Sequence, residues 1–390
     1  MQHRVDGIVE GLRPELRELT LAIHNNPELG LEEFEACALQ TQLLGKYGFV
    51  VEAKYCGMDT AYKASYKSGK PGPKIAMLAE YDALPGLGHG CGHNLIAMIA
   101  VGAGIAMREF ADEYGGEIHV FGTPAEESVG GKVIMADAGA FDDMDVAMMS
   151  HPSHMDAESM NTLAIDSYKV SFHGKTAHAA APHEGVNALD AVINFFNMIN
   201  ALRQQTQEDA RIHGIITKGG EAPNIIPDYT EAIIEARAAK IDYLEGLCQK
   251  VLRCADAAAM GTGCTVEIGP GGGRFLDTNS NLALSALNAR QMERLGIDLL
   301  PPSPAPQPAS SDLGDVSYRC PAIQNCFAIT EGAACGPHTA TFAEAAASDS
   351  AIERGLLFIK GFVLTAIELM TKPEELEKIK DEFEKISRRA

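Results

Sequence analysis

The sequence predicts an α/β protein with a mostly parallel sheet, interrupted by an inserted α+β segment of ferredoxin-like order. Three observations carry this reading. Lys74 to Ala79, Glu117 to Gly122 and Asp145 to Ser150 are short, continuous apolar runs, the pattern of parallel strands buried on both faces. Polar, chemistry-bearing residues follow each run directly. Between about 166 and 272 the pattern changes to strand, helix, strand, strand, helix, strand.

The elements follow in order. The N-terminal stretch carries Ile8, Leu12, Leu16, Leu19 and Ile23 at helical spacing, and lacks the apolar core and cleavage site of a signal peptide. A fourth apolar run, Ala322 to Thr330, returns to the first sheet and precedes His338 by a Gly-rich loop. In the inserted segment, Ser167 to Phe172 reads as a strand. Val186, Leu189, Ile193, Phe196 and Ile199 form one face of a helix. Ile212 to Thr217 and Glu231 to Ala238 read as strands, 241 to 259 as a second helix and Thr265 to Ile268 as a last strand. The boundaries predicted are therefore 1–165 and 273–390 for one domain and 166–272 for the insertion. The proline-rich stretch 301–308 excludes helix and central strand, and reads as a surface loop of the returning first domain. Leu356 to Met370 is interrupted by Lys360 and Glu368, which favours a buried helix over a membrane span. From Pro373, Leu376, Ile379, Phe383 and Ile386 mark a docked amphipathic helix.

The 390 residues exceed one ordinary domain, and the 46% apolar fraction is that of a soluble globular protein. A formal net charge of −21 repels nucleic acid and anionic membrane surfaces. A small anionic substrate is still compatible, because local cations can reverse the potential inside a cleft. Nine scattered cysteines do not form a disulfide framework and read as reduced thiols, so a cytoplasmic enzyme is expected.

The strongest chemical signal is Gly-Leu-Gly-His-Gly-Cys-Gly-His-Asn at 86–94, just after Glu80 and Asp82. The Gly-rich pattern alone could be a dinucleotide turn, but Cys91 and His93 supply side-chain donors where a phosphate cradle needs only backbone amides. Glu127, His151 and His338 add a carboxylate and two imidazoles. Thiolate, imidazole and carboxylate together suit a first-row transition metal, whereas calcium asks for oxygen throughout. Two adjacent acids such as Glu126 and Glu127 are often only solvated surface. Beside these ligands they acquire a division of labour, one holding metal and the other taking a proton from a water acidified by the metal. His151 could alternatively be a core histidine, but it ends a strand; His154 lies past Pro152 and ranks below it. In an open α/β sheet the carboxyl ends of the strands gather such residues at one edge.

The motifs Tyr81-Asp82-Ala83-Leu84-Pro85, Gly90-Cys91-Gly92-His93-Asn94, Pro124-Ala125-Glu126-Glu127, Ser150-His151-Pro152 and Gly174-Lys175-Thr176-Ala177-His178, in that order, resemble the M20 metallopeptidase and amidohydrolase family. The likeness is greatest to its aminoacylase, hippurate hydrolase and aminobenzoyl-glutamate hydrolase branch. His24 to Gly30, Gly220 to Pro227 and Ser311 to Ser317 extend it over about 15–370. The resemblance implies a catalytic domain interrupted by a lid that also dimerises, with two divalent ions per subunit: zinc or manganese, with cobalt and nickel also accepted by such donors. It implies Cys91, His93, Glu127, His151 and His338 as metal ligands, Cys91 bridging, with Glu126 as general base and Asp82 orienting a ligand. The peptidase branches carry a His where this chain has Glu80, a departure consistent with His93 supplying the missing imidazole. In the lid, His178 would reach the partner subunit's site and hold the oxyanion; its plainer reading is a polar residue at a helix start. Asn224 and Arg237 would bind a substrate carboxylate, although Arg237 could instead pair with Glu235 or Glu231. The implied reaction is hydrolysis of the amide bond of an N-acyl amino acid or an aminobenzoyl-glutamate-like substrate. A dipeptidase or carboxypeptidase of the same fold competes with it, and so does a binding protein that retains the cleft.

Overall fold

Alternation decides how the first sheet is built. Ile75, Met77 and Ala79 face one apolar cluster while Ala76 and Leu78 face another, so the Lys74–Ala79 strand is covered on both sides. That requires near-continuous apolar sequence, which is why Ile75 to Ala79 carries no polar position. The computed structural model describes residues 1–330 and 335–387, with side chains described as far as 385. It forms two compact units. One comprises Met1–Asn161, Thr278–Gln307 and Asp312–Ala390; the other comprises Thr162–Asp277 and Pro308–Ser311.

In the first unit six strands lie in the order Val50–Ala53, Tyr62–Lys67, Glu117–Gly122, Lys74–Ala79, Val146–Ser153, Ala322–Ala328. The last four run parallel and the first two close one edge antiparallel, a mostly parallel sheet. The Val146–Ser153 strand is longer than the apolar run suggests, so His151 lies within it rather than after it. Register still brings it to the site edge. Met77 pairs with Met148, which sets position 151 level with position 80, the first residue beyond its own strand.

The helix His93–Tyr114 is buried almost all round. It is long and apolar enough to cross a membrane, but 89% of its apolar window is packed inside the protein, as expected of a central core helix. It starts at Gly92, whose φ of +76° favours glycine and where a Cβ would meet Pro152 at 2.8 Å. The helices Gln2–Asn25 and Asp349–Thr371 pack against it. The tail helix Pro373–Ser387 is docked through buried Ile379, and its Glu382 carboxylate accepts Leu282 and Ala283 N–H at the start of the Leu282–Arg294 helix. The Ile386 side chain falls outside the described residues.

The second unit is a four-stranded antiparallel sheet in the order Thr265–Pro270, Ala164–His173, Tyr229–Ala238, Arg211–Lys218. Helices Ala188–Leu202 and Ile241–Thr262 cover one face. Its core stripe differs from the one expected. Ala188, Ala191, Val192, Phe195 and Ile199 are buried, while Ile193 is 44% exposed and Val186 precedes the helix. Ile199 is in the core and Val186, Leu189 and Phe196 pack against it, so Ile193 alone departs from the expected stripe, while small alanines complete the buried face. Residues 308–311 belong to this unit rather than to the returning first domain: Leu163 N–H donates to Ala309 O at 2.8 Å.

Candidate metal centre

Seven of the residues singled out in the sequence meet at the carboxyl edge of the first sheet. Cys91 Sγ lies 3.6 Å from His151 Nε2, and His338 Nε2 lies 3.1 Å from Glu127 Oε1. Donor atoms of Cys91, His93 and His151 fall within 4.8 Å of one another, as do those of Cys91, Glu127 and His338, and those of His93, Glu126 and Glu127. Cys91, His93 and Glu127 belong to two of these groups each, which makes one continuous cluster. His154 is exposed and has no place in it.

Local backbone geometry aims these groups. Ala125, just before the two acids, has φ +62°, and His338 has φ +67°, a conformation that costs a non-glycine residue of order 1 kcal/mol and needs bracing. At Ala125 the brace is Glu33, whose carboxylate accepts the Ala125 N–H at 2.8 Å and the Thr60 hydroxyl at 2.8 Å. At His338 the backbone N–H donates to Gly90 O at 2.8 Å, tying the returning loop to the Gly-rich turn. Asp82 has a double task. One oxygen lies 2.9 Å from His93 Nδ1 and the other accepts Glu127 N–H at 3.0 Å, so a single carboxylate orients two of the donors. His151 Nδ1 donates to Pro152 O at 2.7 Å, which directs Nε2 to Cys91.

Burial and neighbouring charge set the electrostatics of these donors. Burial raises the Cys91 thiol and lowers the His151 imidazole. Burial also drives Glu126 well above the ordinary carboxyl range, reinforced by Glu80, Asp312 and Glu127. For His93, burial disfavours the charge, but Asp82, Cys91 and Glu80 outweigh it and raise the imidazolium. His93 Nε2 and Glu80 Oε2 are buried without a hydrogen-bond partner, 3.3 Å apart. Orphaned buried polar atoms of this kind are costly in a folded protein unless a ligand satisfies them. The donor set and its orphaned atoms fit a transition-metal centre.

Three residues singled out in the sequence lie in the second unit. His178 sits in the short strand Ala177–His178, not at a helix start, and its Nδ1 accepts the Ala180 N–H at 3.0 Å. It pairs with Ile225, and Ala179 N–H donates to Asn224 O at 3.0 Å, so the structure brings His178 and Asn224 together. Arg237 lies on a central strand, with Nη2 3.3 Å from Glu235 Oε2 and Nη1 donating to Ser310 Oγ at 3.0 Å.

A family model described as a peptidase dimerisation domain matches residues 164–262. The Xaa-Arg dipeptidase of Mus musculus is 37% identical over 384 residues, covering 94% of this chain and 88% of its own. The chain belongs to the M20 family of metallopeptidases and amidohydrolases. A second M20 relative, from the p-aminobenzoyl-glutamate hydrolase of Escherichia coli, is 35% identical over 286 residues, 67% of this chain and 59% of its own. The M20 fold is seen again in a dinuclear metal-binding peptidase from Bacillus subtilis, with a TM-score of 0.66, 17% identity, and coverage of 93% of this chain and 99% of that one.

Sequence reasoning gave no role to Lys132, Asp312 or Glu33, all fully buried at this M20 site. Asp312 stands in the motif 311–317, and Lys132 is the one charged residue in the apolar stretch 129–136. A lone charge in an apolar helix was the available signal. Glu33 carried none, since it follows another glutamate and reads as surface.

Proposed function

We propose that the protein hydrolyses an amide bond between an acyl or aminoacyl group and an amino acid with a free carboxylate, at a centre of two divalent ions held by Cys91, His93, Glu127, His151 and His338. The observation that carries this is the convergence of those five donors, with the Glu126 carboxylate within 4.8 Å of donor atoms of His93 and Glu127. When bound, the ions polarise the scissile carbonyl and lower the pKa of water. Glu126 takes the proton from the attacking water and returns it to the leaving nitrogen, a role that its place among the donors allows. Asp82 keeps His93 and Glu127 aligned.

In this reading Asn224 and Arg237 bind the substrate carboxylate, for which a guanidinium fork is well shaped, and His178 from a partner subunit stabilises the oxyanion. A homodimer through the second unit is supported by its match to a dimerisation domain and by its edge strand Arg211–Lys218, which leaves Ile215 63% and Ile216 42% exposed. An exposed apolar edge strand is a pairing surface. Zinc or manganese is the proposed metal, and cobalt or nickel would suit the same donors. A cytoplasmic setting agrees with a reduced Cys91.

Dipeptides have the same standing as N-acyl amino acids, because a dipeptidase is similar to this chain over nearly its whole length. Amine release from dipeptides ending in arginine or other residues, N-acyl amino acids and aminobenzoyl-glutamate, by protein reconstituted in turn with manganese and zinc, tests the proposal. Metal-dependent release from one subset names the substrate class; silence with metal bound would refute the hydrolase reading.

A further inference from the structure

Behind the five outer donors lies a second cluster that the proposed chemistry does not use as ligands. Glu80, Glu126 and Asp312 are buried and each offers an oxygen within 4.8 Å of the others. Three carboxylates so close in a dry interior repel one another, and such an oxygen-only set is what a hard divalent cation selects. The space is not empty of charge. Lys132 Nζ lies 2.5 Å from Glu80 Oε1 and 2.5 Å from Asp312 Oδ1, with its side chain 0% exposed. The same residue's backbone N–H donates to Asp312 Oδ2 at 3.0 Å, so Asp312 grips Lys132 with both oxygens. Glu80 is held by one oxygen only. Its Oε2 has no hydrogen-bond partner and faces His93 Nε2 at 3.3 Å, on the side of the outer donors. A buried ammonium is tolerated only when paired, and here two carboxylates pair it.

We propose that the Lys132 ammonium is a built-in cation, occupying the position a divalent ion would take among Glu80, Glu126 and Asp312, and that it thereby confines exchangeable metal to the outer donors. This rests on the reading that the outer donors bind metal. Lys132 is a positioning residue: it fixes Glu80 Oε1, which leaves Oε2 turned towards His93. Its removal leaves three carboxylates with no internal cation and a void four side-chain atoms longer than alanine fills. A metal ion with its waters can enter that void.

The experiment counts manganese. Full-length wild type, Lys132→Ala and Lys132→Arg are saturated with manganese and desalted. The metal is then counted per subunit by elemental analysis and placed by anomalous scattering at the manganese edge. Lys132→Ala should hold one ion more than wild type, with the added peak between Glu80 and Asp312, while Lys132→Arg should match wild type. Equal counts in folded Lys132→Ala and wild type would overturn the proposal. Wild-type crystals supply an arm that does not depend on the variant folding: saturating manganese should leave no peak within bonding distance of Asp312, and a peak there overturns the proposal equally. A wild type that binds no manganese would refute the outer-ligand reading. The difference between variant and wild type would still report on Lys132.

Discussion

The two units hold their chemistry-bearing residues by opposite means. In the first, the reactive groups stand at the end of a sheet covered on both faces, and buried side chains fix them: Asp82 grips His93 and Glu127, and Glu33 grips Ala125. In the second, the sheet is covered on one face. His178 is exposed on a two-residue strand, and Arg237 lies between Glu235 and Ser310. A residue locked in a low-dielectric interior has one geometry and strong fields, which suits bond making and proton transfer. A half-exposed arginine, held by one neutral hydroxyl and one neighbouring acid, can exchange those partners for a ligand. The contrast teaches that changes at the buried donors of the first unit should act on turnover and metal retention, and changes at Arg237 in the second on substrate affinity.

Glu126→Gln gives the largest expected effect. Removing a positioned general base typically costs 10²–10⁴-fold, so turnover should fall about a thousandfold while metal content measured by elemental analysis stays at the wild-type level. Turnover within tenfold of wild type would take Glu126 out of its role. Next comes Asp82→Asn, which removes the charge behind both His93 and Glu127. Loss of such an outer-shell partner weakens metal binding about 10–100-fold, read by competition against a chromogenic chelator. Unchanged affinity would mean that the ligands hold their orientation without Asp82. Smaller again is Arg237→Met. A hydrogen bond to a charged group contributes roughly 1.5–3 kcal/mol, so KM should rise about 10–100-fold with kcat little altered. A fall in kcat at unchanged KM would mean that Arg237 acts on the reaction and not on binding the carboxylate.

The same contrast explains what could be read from the chain alone. Parallel strands buried on both faces leave continuous apolar runs, and the donors that follow them are legible because each type carries its chemistry on its face: Cys91, His93, Glu127, His151 and His338. Elements of the one-sided sheet were legible in order and only partly in facing: Ile199 is in the core and Leu189 and Phe196 pack against it, but Ala188 and Ala191 bury as fully as Phe195 while Ile193 does not. The supporting residues were the least visible. Lys132, Asp312 and Glu33 act through residues 27 to 180 positions away, and no local spacing records a contact made by folding.

Glu33 gives the most specific test of the first unit's rigidity, one that leaves the donors themselves untouched. Burial raises its pKa from 4.5 to about 7, with Asp82 nearby adding to the rise and the Thr60 hydroxyl and Ala125 N–H opposing it. Between those two values the native protein holds a proton that the unfolded chain has released. Stability from this group is therefore fully present below pH 4.5 and is lost as pH rises through about 7. The shift corresponds to at most about 3 kcal/mol. Glu33→Gln mimics the protonated acid: its carbonyl oxygen can accept the Ala125 N–H while its amide donates to Thr60 Oγ1. The variant should therefore gain stability relative to wild type as pH rises from 5 to 8, by up to about 3 kcal/mol, measured by urea unfolding at each pH. A stability difference independent of pH would mean that Glu33 titrates as an ordinary solvated acid, and that the turn before Glu126 is not braced from a dry interior.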